Sequence, residues 1–116
     1  MDLVLHAYVR AGVPVLSVGG EVDLATVPRL RGQLVRMAAE HPGATGVVDL
    51  AGLVFIDSAG LGVLVGALGR MRSHGGDLVL ASCPPRLVEL LALTGLDRAL
   101  VAHPTVEAAV SAAALP

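Results

Sequence analysis

Lysine and tryptophan are absent from this 116-residue chain, and Tyr8 and Phe55 are its only aromatic residues. Without lysine there is no Gly-Lys-Ser/Thr element, so a phosphate-cradling nucleotide loop of that type is excluded. Without aromatics there is no stacking platform for single-stranded nucleic acid. A formal net charge of −2 supplies no general attraction for phosphate backbones or anionic lipid. The expectation is no nucleic-acid partner and no membrane partner. Cysteine is nearly absent too. Cys83 stands alone, which rules out an internal disulfide and agrees with a reducing compartment. With no histidine near it in sequence, it reads as a small apolar filler. Long hydrophobic runs are also missing: the longest uncharged stretch around the central helical segment, Ser58 to Gly69, is too short to cross a bilayer. Asp2, His6 and Arg10 interrupt the N-terminal segment, which therefore does not read as a secretory signal. A cytoplasmic location is the expectation.

What is present is aliphatic. Apolar residues make up 54% of the chain against 16% charged, and all eight basic residues are arginine. A single domain spanning residues 1–116, with a core of Leu, Val and Ala, follows from that length and composition. Leu3 to Val9 has strand character, Ala11-Gly12 offers a turn, and Val13 to Val18 continues as a hairpin partner. Pro14 belongs at an edge or at the strand start, and Gly19-Gly20 is expected to release the chain. Thr26 as cap and Pro28 in the first turn open a helix. Its apolar stripe is Val27, Leu30, Leu34, Met37 and Ala38, and His41-Pro42-Gly43 stops it. Gly46 to Leu50 is a short buried strand, followed by a short turn.

A second helix begins near Ser58 with the stripe Leu61, Leu64, Val65, Leu68 and Met71, and ends around Ser73-His74-Gly75-Gly76. Asp77 to Ala81 is a strand. Pro84-Pro85 precedes a short helix through Leu87, Val88, Leu90 and Leu91, closed by Thr94-Gly95. Ala99 to Ala102 reads as a last strand, and Pro104-Thr105 opens an Ala-rich helix. The order ββαβαβαβα predicts an α/β layer fold, a mixed β-sheet with helices and right-handed crossovers.

The most informative segment runs from Val47 to Gly62. There an apolar strand gives way to Asp57-Ser58-Ala59-Gly60, and an amphipathic helix starts at once. A hydroxyl at a helix N-terminus lies where free N–H groups and the helix dipole favour an anion. A phosphate on Ser58 is tolerable there. The plainer reading is that Ser58 only caps the helix. Asp57 carries the same two readings: it caps, or it orients the serine and meets a basic group of a partner. Asp49 reads as a strand-end carboxylate bonding the adjacent loop.

The same helix contains Gly62, Gly66 and Gly69. Each interior glycine costs about 1 kcal/mol relative to alanine, roughly 3 kcal/mol in one element. Gly62 and Gly66 lie one turn apart, with Ala59, Val63 and Arg70 on much the same side, below Ser58. Either the glycines let helix and sheet pack closely, or this small-residue face receives a partner that reads the state of Ser58.

Catalytic readings fare worse. Ser58 and Gly60 fill the last half of a G-x-S-x-G elbow, but Ile56 stands where the first glycine belongs. His6, His41, His74 and His103 form no metal spacing, and Cys83 has no cysteine partner. Gly60-Leu61-Gly62 lacks the third glycine of a dinucleotide fingerprint. The chain reads as a binding protein rather than an enzyme, with no metal and no cofactor implied. A small serine hydrolase using Ser58 is the rival from another class, and a fluorophosphonate would expose it.

Two segments together resemble a family. Val18-Gly19-Gly20-Glu21-Val22-Asp23-Leu24-Ala25-Thr26 is similar to one signature of the STAS domain family of bacterial anti-sigma factor antagonists. Val48-Asp49-Leu50 through Ile56-Asp57-Ser58-Ala59-Gly60-Leu61-Gly62-Val63-Leu64 resembles the second. The resemblance covers nearly the whole chain. It implies an antagonist that binds an anti-sigma factor with a histidine-kinase-like serine kinase fold and so frees the sigma factor. Phosphorylation of the serine matching Ser58 breaks the complex, and a serine phosphatase restores it. Asp23 matches a position near that serine on the kinase-facing surface. With the small-residue face of the second helix added, the expected partner-binding set is Asp23, Asp57, Ala59, Gly60, Gly62, Val63 and Gly66. The alternative within the family is a STAS adaptor subunit of a transporter or stress-signalling complex.

Overall fold

A computed structural model describes residues 2–115. Its elements are β1 (Val4–Arg10), β2 (Val13–Val22), α1 (Val27–Glu40), β3 (Thr45–Ile56), α2 (Ser58–Ser73), β4 (Asp77–Ala81), α3 (Pro85–Thr94), β5 (Ala102–His103) and α4 (Val106–Ala113). The order is the one expected. One five-stranded sheet runs β1-β2-β3-β4-β5, antiparallel between β1 and β2 and parallel elsewhere. Strand order thus follows chain order, and right-handed crossovers that each advance one strand place their helices on one face.

Alternation along the strands divides the core accordingly. Leu16, Val48, Leu78 and Leu80 pack with the buried stripes of α1, α2 and α3, whereas Val15, Val47, Val79 and Ala81 pack with Ala109 and Val110 of α4 on the other face. All five residues of the expected α1 stripe are buried. In α2, Leu61, Leu64, Leu68 and Met71 are buried as expected, while Val65 is only half-buried. In α3, Leu87 and Leu91 are buried but Val88 is exposed. A ten-residue helix lying at the rim needs only a narrow stripe. No helix among the described residues is long and apolar enough to cross a membrane.

Three strand boundaries differ from expectation. Gly19-Gly20 does not release the chain: β2 continues through both glycines to Val22. Nor does β3 stop at Leu50, since it continues to Ile56 alongside that extension. The expected turn is instead a pair of register shifts, because Ser17 pairs with Asp49 but Gly19 with Gly52, and Gly20 pairs with Leu53 but Glu21 with Phe55. Each shift gives β3 one more residue than β2, the signature of a bulge. Asp49 steadies the first one, its carboxylate accepting the Ala51 amide at 3.1 Å. Gly19 and Gly52 face each other so closely that a Cβ on Gly52 would sit 3.2 Å from the Gly19 Cα. Gly19, which reads locally as part of a break, is here a site of close strand approach. Lastly, the final strand is Ala102–His103 rather than Ala99–Ala102. The chain through Leu96–Arg98 is a 3₁₀ turn that buries Leu100 before the strand begins.

The hairpin turn at Ala11 and Gly12 has φ of 51° and 78°, as a two-residue connection matched to strand twist requires. Pro14 pairs with Val9, and β2 begins pairing with β3 only at Val15. The missing N–H therefore removes no bond from the interior ladder.

Candidate functional site

Val22 pairs with Ile56 at the last rung shared by β2 and β3. The next residue on each strand, Asp23 and Asp57, therefore leaves the sheet side by side. Asp57 donates its amide to the Val22 carbonyl at 3.1 Å, which ties the start of α2 to the end of β2.

Asp57 is the N-cap of α2. Its backbone is extended and its carboxylate accepts the Gly60 amide at 3.0 Å. Ser58 is consequently the first residue of the helix rather than its cap, and it is exposed. No hydrogen bond from its hydroxyl occurs among the described residues. Of the two readings of Asp57, capping is realised. The plainer reading of Ser58 is not, because the orphan amide it would have served is taken. α2 has Arg70 and Arg72 in its last turn, where basic charge complements the negative end of the helix dipole.

Asp23 builds the neighbouring turn. Its carboxylate accepts the amides of Ala25 and Thr26, each at 3.0 Å, and Thr26 Oγ1 accepts the Asp23 amide and donates to the Glu21 carbonyl, also at 3.0 Å. Thr26 thus stands at the N-cap position of α1 without a side-chain cap bond. That corrects its expected role, and the reason is that its hydroxyl is committed backward to the turn. Asp23 is half-buried, and Leu24 next to it is 78% exposed.

The glycines of α2 separate into two kinds. A Cβ on Gly60 would lie 2.5 Å from Val22 Cγ1 and 2.7 Å from Ile56 Cγ1, so this glycine lets the helix start against the strand ends. At Gly62, Gly66 and Gly69 nothing lies within 4 Å. Close helix–sheet packing explains Gly60 and fails for the other three. Gly62 and Gly66 are exposed along a groove of about 280 Å³ between α1 and α2, whose rims include Arg31 and Val35 of α1 and Arg70 of α2. Val63 does not share that outer face. It is buried in the main core, as the groove's floor. Ala59 is half-buried against the core. The structure brings Asp23, Asp57, Ser58, Gly62 and Gly66 to one side of the molecule's surface and places Gly60 and Val63 beneath it. A helix turn of 3.6 residues carries positions 60 and 63 inward when 62 and 66 face out.

Sequence reasoning gave no role to Leu24, Phe55 and Arg31, all of which are exposed. Phe55 is 49% exposed in the strand leading to Ser58. Its rarity in so aliphatic a chain was the available signal. Arg31 carried none, since only the approach of α1 to α2 sets it beside the glycines.

Cys83 is half-buried against the main core, and burial pushes its thiol up to about 11. A thiol held protonated is a poor nucleophile, which suits the filler role.

Comparison with known proteins agrees with this architecture. The family model described as the STAS domain matches residues 5–109. An anti-sigma-B factor antagonist of Bacillus subtilis is 37% identical over 81 residues, 70% of this chain and 72% of that protein. One of Staphylococcus epidermidis is 39% identical over 82 residues, covering 70% and 74%. A crystal structure of an anti-sigma factor antagonist from Mycobacterium paratuberculosis superposes with a TM-score of 0.86 at 28% identity, covering 97% of this chain and 94% of that one. A match across most of the chain, on the sheet order and strand ends that present Ser58, means that this protein belongs to the STAS domain family.

Proposed function

We propose that this protein is an anti-sigma factor antagonist whose binding is switched by phosphorylation of Ser58. The partner is an anti-sigma factor that is also a serine kinase with a histidine-kinase-like fold. The unmodified antagonist occupies it and so releases the sigma factor, and a serine phosphatase reverses the modification. The observation that carries this reading is the division of labour at the start of α2. Asp57 holds the cap, so the Ser58 hydroxyl has no structural duty and stands exposed at a helix N-terminus that tolerates an anion.

The docking surface in this reading runs from Asp23 and Asp57 past Ser58 along Gly62 and Gly66. Open glycines let a partner backbone come close. Ala59, Gly60 and Val63 support that surface from within. A phosphate adds about −1.5 to −2 charges and three acceptor oxygens. On this surface it meets desolvation and the adjacent carboxylate of Asp57, and about 2.7 kcal/mol of adverse energy weakens binding roughly hundredfold.

The test is to mix the protein with its candidate kinase and ATP and to read intact mass. The expected result is a gain of one phosphate located on Ser58, with loss of the complex. Modification at another residue, or a complex that survives full modification, overturns the reading.

A further inference from the structure

Beyond Asp49 the sheet loses a strand on one side. β3 pairs with β4 only from Thr45–Asp77 to Asp49–Ala81, while its pairing with β2 continues to Val22–Ile56. The edge of residues 53–56 turned away from β2 therefore carries no strand. Between it and α3 lies a cleft of about 290 Å³. Val54 and Phe55 line it from β3, and Leu87, Leu90 and Leu93 from α3, with Arg86 at the N-terminal end of that helix. Val54 is 59% exposed and Leu93 85%.

Such a cleft is incomplete in two respects. A strand edge without a neighbour has backbone groups able to pair, and apolar side chains are left in water beside it. A bound helix or small apolar molecule answers only the second. An extended peptide answers both, since its main chain adds to the sheet while alternate side chains enter the cleft. Charge narrows the occupant further. Arg31, Arg70, Arg86 and Arg98 have no carboxylate partner among the described residues, and of these only Arg86 lines the cleft. Glu89 lines the cleft one helical turn farther along, so the favourable place for a negative charge is the end nearer Arg86.

We infer that this cleft binds an extended apolar segment of a partner protein by strand addition to residues 53–56, with an acidic residue of that segment opposite Arg86. The surface is distinct from the groove of Gly62 and Gly66 and does not depend on modification of Ser58.

The test uses the whole protein, labelled with ¹⁵N, titrated with seven-residue acetylated and amidated peptides of alternating Val and Thr carrying one Asp at each position in turn. The expected result is binding of at least one peptide, with amide shifts confined to residues 53–56 and 84–93. N-methylation of alternate amides in that peptide should abolish binding. Arg86→Glu, at an exposed position, should weaken it about tenfold, and replacing the peptide's Asp by Lys should restore it. Leu93→Asp should weaken binding with the melting temperature unchanged. No binding by any peptide at millimolar concentration overturns the inference. So does binding indifferent to N-methylation, which would mean apolar contact without strand addition. The same shifts appearing on raising the protein concentration alone would assign the cleft to a second copy of this chain and overturn it equally.

Discussion

The carboxylate of Asp57 accepts the amide of Gly60 at 3.0 Å, and this one bond decides what Ser58 is free to do. A serine at a helix start ordinarily serves the helix. Here the residue before it does so, and it is anchored by its own amide to the carbonyl of Val22. The geometry around Ser58 is thus held from the strand side and owes nothing to the hydroxyl.

Two substitutions should separate these roles. Asp57→Ala removes the cap and should cost about 1 kcal/mol of stability. Ser58→Ala removes no bond made among the described residues and should stay within about 0.5 kcal/mol of the parent. Denaturant melts of the two variants check this. In the presence of kinase and ATP, Ser58→Ala should bind the kinase yet gain no phosphate by mass. Equal destabilisation by both variants would return the cap to Ser58.

The α2 glycines should respond oppositely to the same change. Gly66→Ala meets open space and should gain up to about 1 kcal/mol from helix propensity. Gly60→Ala drives a Cβ into Val22 and Ile56 and should lose about 1–3 kcal/mol. Gly66→Leu should fold normally but bind the kinase at least about tenfold more weakly, read by calorimetry. Undiminished binding by a stable Gly66→Leu variant would remove this helix face from the docking surface.

Phosphorylation should act locally. A doubly charged group at a helix N-terminus is favourable within the fold, so melting temperature should hold or rise slightly. Amide shifts should cluster at the β3–α2 junction and the Asp23 turn. Ser58→Asp, with one charge and a shorter reach, should block binding only partly. Shifts spread across α3 and α4, or a fall in melting temperature, would point to an allosteric switch instead.

Cys83 gives a prediction in pH. Its thiol is raised from 9.0 to about 11 by burial. Above pH 9 the unfolded chain therefore loses this proton while the folded chain keeps it. Stability is fully present below pH 9 and declines as pH rises toward 11. Cys83→Ala should flatten that decline in melts taken at successive pH values. At pH 8.5, iodoacetamide should modify the folded protein at least about tenfold more slowly than the denatured one.

Element order, the buried stripe of α1 and the position of Ser58 at a helix start were legible in the sequence, because they rest on local period and on capping chemistry within a few residues. Pro28, Pro84-Pro85, Pro104-Thr105 and His41-Pro42-Gly43 mark helix limits by backbone constraints that no tertiary contact has to supply. Tertiary structure alone decided the rest. Gly19 looks like part of a chain break until β2 and β3 lie side by side, when it and Gly52 permit the close approach along which β3 runs on to Ile56, while Gly20 makes room for the backbone of Asp2. Whether Asp57 or Ser58 caps α2 turns on the tether to Val22, more than thirty residues earlier in the chain. Which glycines of α2 are packed and which are open depends on the strand ends beneath Gly60 and on α1 beside Gly62 and Gly66. A one-dimensional pattern records what each residue prefers. It does not record which distant backbone has already satisfied its neighbour, and that is what leaves the Ser58 hydroxyl unclaimed.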